Sequence, residues 1–142
     1  MSRGITIYVV DPDVAIGDAL STLIATYDAA VQLFSDAETV LASATLWDIE
    51  CGCLMTDANL PGMSGLSLLR RLRAQGFALP MIVFTNTFTD EMRRQALAFG
   101  ATDVIDKRLI NAFLMERLSE YLPSTQKLSR VGPDRSADPS SN

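Results

Sequence analysis

The sequence predicts an α/β protein with a doubly wound, five-stranded parallel sheet. Two observations favour this fold class. Five short apolar segments recur along the chain, and each is followed by a stretch with apolar residues at helical spacing. Largely apolar strands are typical of parallel sheets, because helices cover both faces of such sheets. The 142 residues are enough for one domain with one core.

The first two βα units lie in the first third of the chain. The first strand is predicted over Ile5–Val10, after which Asp11 as N-cap and Pro12 in the first turn are expected to open a helix. A second strand is predicted over residues 31–34. The next four residues, 35–38, read Ser-Asp-Ala-Glu, a capping-box pattern that predicts the start of a second helix.

The third unit contains the most informative turn. Its strand, residues 51–56, is followed by Asp57, a Pro/Gly-rich turn and a helix. The buried side of that helix is predicted to carry Leu66, Leu69 and Leu72. Its outer side is predicted to carry three solvated arginines, Arg70, Arg71 and Arg73. Cys51 and Cys53 alternate onto one face of the strand and are predicted to be small buried hydrophobes, not a redox or zinc pair.

The fourth and fifth units complete the predicted sheet. Strands are expected over residues 80–85 and 102–105, with a helix over 90–99 that ends at Gly100. The last helix is predicted to bury Ile110, Phe113, Leu114 and Leu118. Residues 1–122 are therefore the predicted domain. Residues 123–142, rich in Ser, Pro and Asp, are expected to form a flexible C-terminal tail or linker.

The composition excludes several functional classes. The chain has no histidine, which rules out Ser-His and Cys-His catalysis and a phosphohistidine relay within it. A net charge of −5 argues against direct contact with nucleic acid or an anionic membrane. No apolar run approaches the roughly 20 residues of a membrane-spanning helix, and the N-terminus lacks the pattern of a signal peptide, so we expect a cytoplasmic protein.

Four residues at or beyond predicted strand ends point to phosphoryl chemistry. Asp11, Asp57 and Thr85 follow or end three strands, and Lys107 lies just after the fifth. The carboxyl ends of parallel strands converge on one cleft, where ligands bind. There Asp57 is a candidate nucleophile that forms an acyl phosphate, and Asp11 a candidate ligand of Mg²⁺. Thr85 and Lys107 are expected to bind phosphoryl oxygens, or Lys107 to pair with Asp57.

The sequence resembles the response-regulator receiver domains of the CheY-like family in two-component systems. Four motifs, over about residues 5–122, carry the resemblance: Val9-Val10-Asp11, Asp57-Ala58-Asn59-Leu60-Pro61-Gly62-Met63-Ser64-Gly65, Val83-Phe84-Thr85, and Gly100-Ala101 with Lys107. The resemblance implies a flavodoxin-like (βα)₅ fold of strand order 2-1-3-4-5. It also implies a phosphoacceptor rather than an enzyme, with a sensor histidine kinase phosphorylating Asp57. The implied Mg²⁺ ligands are Asp11, Asp57 and the backbone carbonyl of Asn59, and the implied surface for a downstream protein lies between Asn86 and Tyr121.

Three positions depart from the family pattern. Pro12 stands where a second acidic residue usually binds the metal, so weakened Mg²⁺ binding is expected. Val104 replaces a frequent aromatic residue, and Arg108 follows the lysine where proline is common. The alternative is therefore a phosphorylation-independent pseudo-receiver that acts as a protein-interaction module. A flavodoxin-like cofactor protein is a third, weaker reading, because the acidic segment 11–14 would repel a phosphate group.

Overall fold

The computed structural model describes residues 5–25, 29–43, 45–48 and 51–121, in which five strands and five α-helices alternate. The strands are β1 (Ile5–Val10), β2 (Ala29–Phe34), β3 (Gly52–Asp57), β4 (Met81–Thr85) and β5 (Asp103–Asp106). The helices are α1 (Val14–Ile24), α2 (Ala37–Leu41), α3 (Gly65–Ala74), α4 (Asp90–Ala98) and α5 (Ile110–Tyr121). Short 3₁₀ helices, Leu46–Asp48 and Lys107–Leu109, precede β3 and α5. The predicted tail, residues 123–142, lies outside the described residues.

The sheet has the predicted architecture. All strand pairs are parallel, and the strand order is β2-β1-β3-β4-β5. The register aligns the strand ends, with Val10 opposite Thr56, Asp57 opposite Phe84, and Thr85 opposite Asp106. The carboxyl ends of β1, β3, β4 and β5 therefore meet along one edge of the sheet.

Two apolar clusters cover the two faces of the sheet. Strand alternation sends Tyr8 and Val10 of β1 into one cluster with α2, α3 and α4, and Ile7 and Val9 into the other with α1 and α5. On α5, Ile110 and Leu114 are buried as predicted. The side chains of Phe113 and Leu118 lie outside the described part of the structure. None of the described helices has the length and apolar character needed to cross a membrane.

The start of β3 lies unusually close to β1. Gly52 has φ +150°, and a Cβ there would lie 1.8 Å from the carbonyl oxygen of Thr6, so only glycine fits. On either side, Cys51 and Cys53 are buried in the same apolar cluster, as predicted. Burial raises the pKa of Cys53 to about 12, which keeps the thiol protonated and unreactive.

Helix α2 begins one residue later than the capping-box pattern predicts. Asp36, not Ser35, is the N-cap, and its Oδ1 accepts a hydrogen bond from the Thr39 amide at 2.7 Å. Glu38 accepts from the Met63 amide at 3.2 Å instead of joining the cap. The carboxylate of Asp36 displaces the serine hydroxyl because an ionised acceptor makes the stronger hydrogen bond. Glu38 is thereby available to hold the turn after β3.

The prediction that three arginines of α3 are solvated is wrong for Arg73. Arg70 and Arg71 are exposed, but Arg73 is half-buried and donates to the carbonyl oxygens of Phe77 at 2.6 Å, Leu79 at 2.9 Å and Gly100 at 3.0 Å. These carbonyl oxygens belong to the turns after α3 and α4, where a helix no longer supplies amides to bond them. The arginine satisfies them and ties the two turns together. The buried side of α3 also differs slightly: Leu68 is buried with Leu69 and Leu72, whereas Leu66 is half-buried.

Candidate functional site

Three of the predicted site residues are in direct contact at the carboxyl edge of the sheet. The Nζ atom of Lys107 lies 2.6 Å from Oδ2 of Asp57 and 2.8 Å from Oδ2 of Asp11. Thr85 ends the adjoining strand, β4, one position beyond the partner of Asp57. Residues separated by as many as 96 positions thus form one cleft because four parallel strands end there.

Asp57 is held in place by bonds to both carboxylate oxygens. Oδ1 accepts a hydrogen bond from the Asn59 amide at 2.8 Å, and Oδ2 accepts one from Lys107. The residue is only 6% exposed. A buried carboxylate at a strand end, with fixed oxygens and a cation beside it, is suited to in-line attack on a phosphorus atom.

Gly65 allows α3 to start directly against the backbone of Asp57. Its amide donates to the Ala58 carbonyl oxygen at 3.0 Å. A Cβ at this position would lie 2.1 Å from the Asp57 carbonyl oxygen, so any side chain would displace the turn. Gly65 is part of the predicted motif, but no role was predicted for it. The available signal was its place next to Ser64, the N-cap of α3.

Asp11 is the most deeply buried carboxylate of the site. Its side chain is 1% exposed, and Oδ1 accepts from the Asp13 amide at 2.7 Å. Oδ2 lies 2.8 Å from the ammonium nitrogen of Lys107, but this contact is not aligned as a hydrogen bond. Burial raises the pKa of the Asp11 carboxyl group, and the attraction of Lys107 offsets only part of this effect. Oδ2 is therefore an underused acceptor.

Lys107 reaches both carboxylates across the end of β4. Its Nζ lies 5.6 Å from the centroid of the Phe84 ring, and its side chain is 9% exposed. Burial by itself lowers the pKa of the ammonium, but the close contacts with the carboxylates of Asp11 and Asp57 outweigh burial and raise it. Lys107 is consequently a permanent cation that neutralises part of the charge of the two carboxylates.

The hydroxyl group of Thr85 bonds Thr87 in this structure. Thr85 is fully buried, and its Oγ1 accepts from the Thr87 amide at 3.0 Å and lies 3.1 Å from the Thr87 hydroxyl. The sequence motifs did not predict a role for Thr87. The pattern Thr-x-Thr after a strand is the available signal, since threonine hydroxyls commonly accept from the amide two residues ahead.

The start of α1 differs from the prediction in a way that affects the metal site. Asp13, not Asp11, caps α1, and its Oδ1 accepts from the Ala15 amide at 3.0 Å. The Asp11 amide continues the pairing with β2 by donating to the Phe34 carbonyl, so Asp11 remains extended. The exposed Pro12 lies between them without a polar side chain. The carboxylate of Asp13 is therefore committed to the helix cap.

The remaining donors fit a hard divalent cation, but there are few of them. Asp11 and Asp57 supply carboxylate oxygens at one edge, and Oδ2 of Asp11 lacks an aligned donor. Oxygen ligands of this kind suit Mg²⁺, which retains several waters. Within the described residues there is no group of three or more His, Cys, Asp and Glu side chains arranged to hold a metal. The described carboxylates in contact with Lys107 in this cleft are those of Asp11 and Asp57.

Comparisons with known proteins agree on one family. The family model for the response regulator receiver domain matches residues 7–119. The transcriptional regulatory protein FixJ of Bradyrhizobium diazoefficiens is 34% identical over 101 residues, which is 71% of this chain and 48% of that protein. The response regulator protein TodT of Pseudomonas putida is 34% identical over 105 residues, 74% of this chain and 45% of that protein. The chain spans about half the length of these relatives.

Solved structures share the fold over most of the chain. A response regulator receiver protein from Pseudoalteromonas atlantica superposes with a TM-score of 0.73 at 27% identity, covering 82% of this chain and 95% of that one. Full-length FixJ from B. japonicum gives a TM-score of 0.73 at 28% identity, covering 99% of this chain and 62% of that one. The BeF3-activated N-terminal receiver domain of Klebsiella pneumoniae RstA gives 0.74 at 25% identity, covering 82% and 97%.

Proposed function

This chain belongs to the response regulator receiver domain family of two-component systems, and on that premise we propose that Asp57 is its phosphoacceptor. Members of the family accept a phosphoryl group and are not conventional enzymes. The observation that supports Asp57 most strongly is its ion pair with Lys107 at 2.6 Å, in a cleft shared with Asp11. A nucleophile, a cation and a metal-binding carboxylate are the parts that phosphoryl transfer requires.

The proposed donor is a phosphohistidine of a sensor histidine kinase, which membership of this family implies. A carboxylate oxygen of Asp57 attacks phosphorus, a P–O bond forms, and the P–N bond to the imidazole breaks. Lys107 then pairs with a phosphoryl oxygen in place of the Asp57 oxygen. The Thr85 hydroxyl leaves Thr87 and donates to a second oxygen, which completes the binding of the group.

We infer that Asp11, Asp57 and the backbone carbonyl of Asn59 hold Mg²⁺. When bound, the ion offsets the negative charge that gathers on the phosphoryl oxygens. The buried Oδ2 of Asp11, which lacks an aligned donor, supports this assignment. Pro12 supplies no carboxylate and Asp13 is engaged in the cap, so the affinity for Mg²⁺ is lower than a third acidic ligand would give.

Replacing Pro12 by Asp tests the weakened metal site. The variant adds a carboxylate beside Asp11, and we expect the dissociation constant of Mg²⁺, measured by isothermal titration calorimetry, to fall about tenfold, equal to about 1.4 kcal/mol. Val14→Asp is the control. Val14 is 74% exposed, and its replacement by Asp adds the same charge two residues further along. An equal gain in both variants would show that general electrostatic attraction, not ligation, explains the change.

The phosphoacceptor is tested by intact mass spectrometry after incubation with acetyl phosphate. We expect a gain of one phosphoryl group that requires Mg²⁺ and is absent in Asp57→Ala. Asp18→Ala removes an exposed aspartate of α1 and should behave like the wild type. A wild type that gains nothing even at high Mg²⁺ would instead favour the pseudo-receiver, the reading that Pro12, Val104 and Arg108 support.

The phosphorylated form is proposed to act through a second protein. Relatives such as FixJ are named transcriptional regulatory proteins, and this chain spans about half their length. The net charge of −5 does not favour direct contact with nucleic acid. We infer that the surface between Asn86 and Tyr121, which adjoins Thr85 and Lys107, binds the downstream partner.

A further inference from the structure

Lys107 must be aimed across the sheet to reach its partners. It follows β5, whereas Asp57 ends β3 and Asp11 follows β1, so β4 lies in between. Neighbouring strands are about 4.8 Å apart, and the side chain therefore crosses two strand spacings before it meets Asp57. A four-carbon side chain has many rotamers and loses that freedom when it is held in one direction. The backbone that carries Lys107 has to be fixed for this contact to persist.

The two neighbours of Lys107 are joined to each other by three hydrogen bonds. Oδ1 of Asp106 accepts from the backbone amide and from Nε of Arg108, both at 3.0 Å. Oδ2 of Asp106 accepts from the terminal guanidinium nitrogen of Arg108 at 2.7 Å. We call this arrangement the Asp106–Arg108 clasp. Because the planar guanidinium binds both carboxylate oxygens, the clasp fixes direction as well as distance.

The clasp joins the residues on either side of Lys107. Asp106 is the last residue of β5 and is paired with Thr85 in the sheet, so one end of the clasp is anchored. Arg108 lies in the 3₁₀ turn, and its side chain is 74% exposed. Exposed ion pairs contribute little to overall stability. The Asp106 side chain is 13% exposed, so one partner of the clasp is exposed and the other is largely covered.

We propose that Asp106 and Arg108 are positioning residues for phosphoryl transfer. The clasp holds the turn between β5 and α5 so that Lys107 stays on Asp57 and Asp11. This inference rests on the proposed function, since it assigns a role in the same reaction. Breaking the clasp releases the Lys107 ammonium towards solvent and slows transfer to Asp57, while the fold remains intact.

Chemical labelling of Lys107 tests the clasp without any phosphoryl donor. Lys107 and Lys127 are the two lysines of the chain, so Lys127 serves as an internal reference. The full chain is acetylated briefly with acetic anhydride, and the ratio of modified Lys107 to modified Lys127 is read by peptide mass spectrometry. In Asp106→Asn and Arg108→Gln we expect the ratio to rise at least threefold. Arg93→Gln, at an exposed arginine of α4, should leave it unchanged.

The same variants are then phosphorylated with acetyl phosphate and Mg²⁺. We expect the initial rate to fall at least threefold in Asp106→Asn and Arg108→Gln, with thermal midpoints equal to those of wild type and Arg93→Gln. An unchanged labelling ratio, or wild-type rates despite raised labelling, overturns the proposal. A wild type that is not phosphorylated overturns the proposed function and with it the role in transfer. The labelling ratio distinguishes these failures because it needs no phosphoryl group.

Discussion

At the scale of single residues, the described ion pairs of the site set two carboxylates against one ammonium. Asp11 and Asp57 are nearly buried carboxylates that share one cation, Lys107, and Oδ2 of Asp11 has no aligned donor of its own. Like charges brought together out of water repel each other, so the arrangement depends on the ammonium. The charge of the unliganded cleft therefore favours the binding of a positively charged ligand.

Lys107→Met is expected to expose this dependence. Removal of the cation leaves two buried carboxylates unpaired and should lower the free energy of unfolding by about 3 kcal/mol in metal-free buffer. Mg²⁺ should restore part of that loss, because a ligand that binds only the folded state stabilises it. Urea unfolding with and without Mg²⁺ measures both effects. Arg71→Met, at an exposed position of α3, should change little, and an equal loss there would contradict the assignment.

Gly65 couples the packing of α3 to the position of Asp57. Gly65→Ala places a Cβ 2.1 Å from the Asp57 carbonyl oxygen, and the required shift should cost about 1–3 kcal/mol of folding free energy. Gly76→Ala is the matched comparison, since its φ of +94° is strained for alanine but nothing lies within 4 Å of the added atom. We expect both variants to be destabilised, but only Gly65→Ala to slow phosphorylation by acetyl phosphate. Equal rates in both would show that the contact does not position Asp57.

At the scale of secondary-structure elements, α3 is tied to its neighbours by one side chain. Arg73 bonds carbonyl oxygens four, six and 27 residues further along the chain, so it joins the turns after α3 and α4. Arg73→Met keeps much of the apolar stem and removes these bonds. We expect a loss of about 1.5–3 kcal/mol, the range for hydrogen bonds to a charged group, in thermal or urea unfolding. Arg70→Met, also on α3, should cost less, because Arg70 contacts only the face of the Phe99 ring in the described contacts.

The sequence predicted the elements better than their ends. Apolar segments and helical spacing were sufficient for five strands, five helices and the convergence of Asp11, Asp57 and Lys107. The caps of α1 and α2 were misplaced because two residues that can cap a helix stand close together at each start. For α1, the pairing of Asp11 with β2 leaves Asp13 as the cap. The role of Arg73 depends on carbonyl oxygens of distant turns, which no local pattern reveals. Likewise, the bond between Thr85 and Thr87 depends on the path of the chain after β4.

At the scale of the whole molecule, the sheet divides the site between central and peripheral strands. β3 lies between β1 and β4, and β5 is at the edge of the described sheet. Interior strands exchange their amide hydrogens slowly, since both edges are bonded. We expect slow exchange along β1, β3 and β4 and faster exchange at residues 86–88 and 106–109. Addition of beryllofluoride with Mg²⁺ should slow exchange in those two segments, and a response confined to β1 and β3 would contradict this division.

The strand order also has a consequence for how a signal leaves the site. Asp57 ends β3 and Asp11 follows β1, and each of these strands is paired on both of its sides. Lys107 follows the edge strand, β5, and Thr85 ends the strand beside it; each is restrained by a neighbour two residues away or less. We therefore expect a chemical change at Asp57 to move the border at β4 and β5 more than the border at β2. The expected signal has a direction, because β2 contributes no side chain to the contacts described for the site.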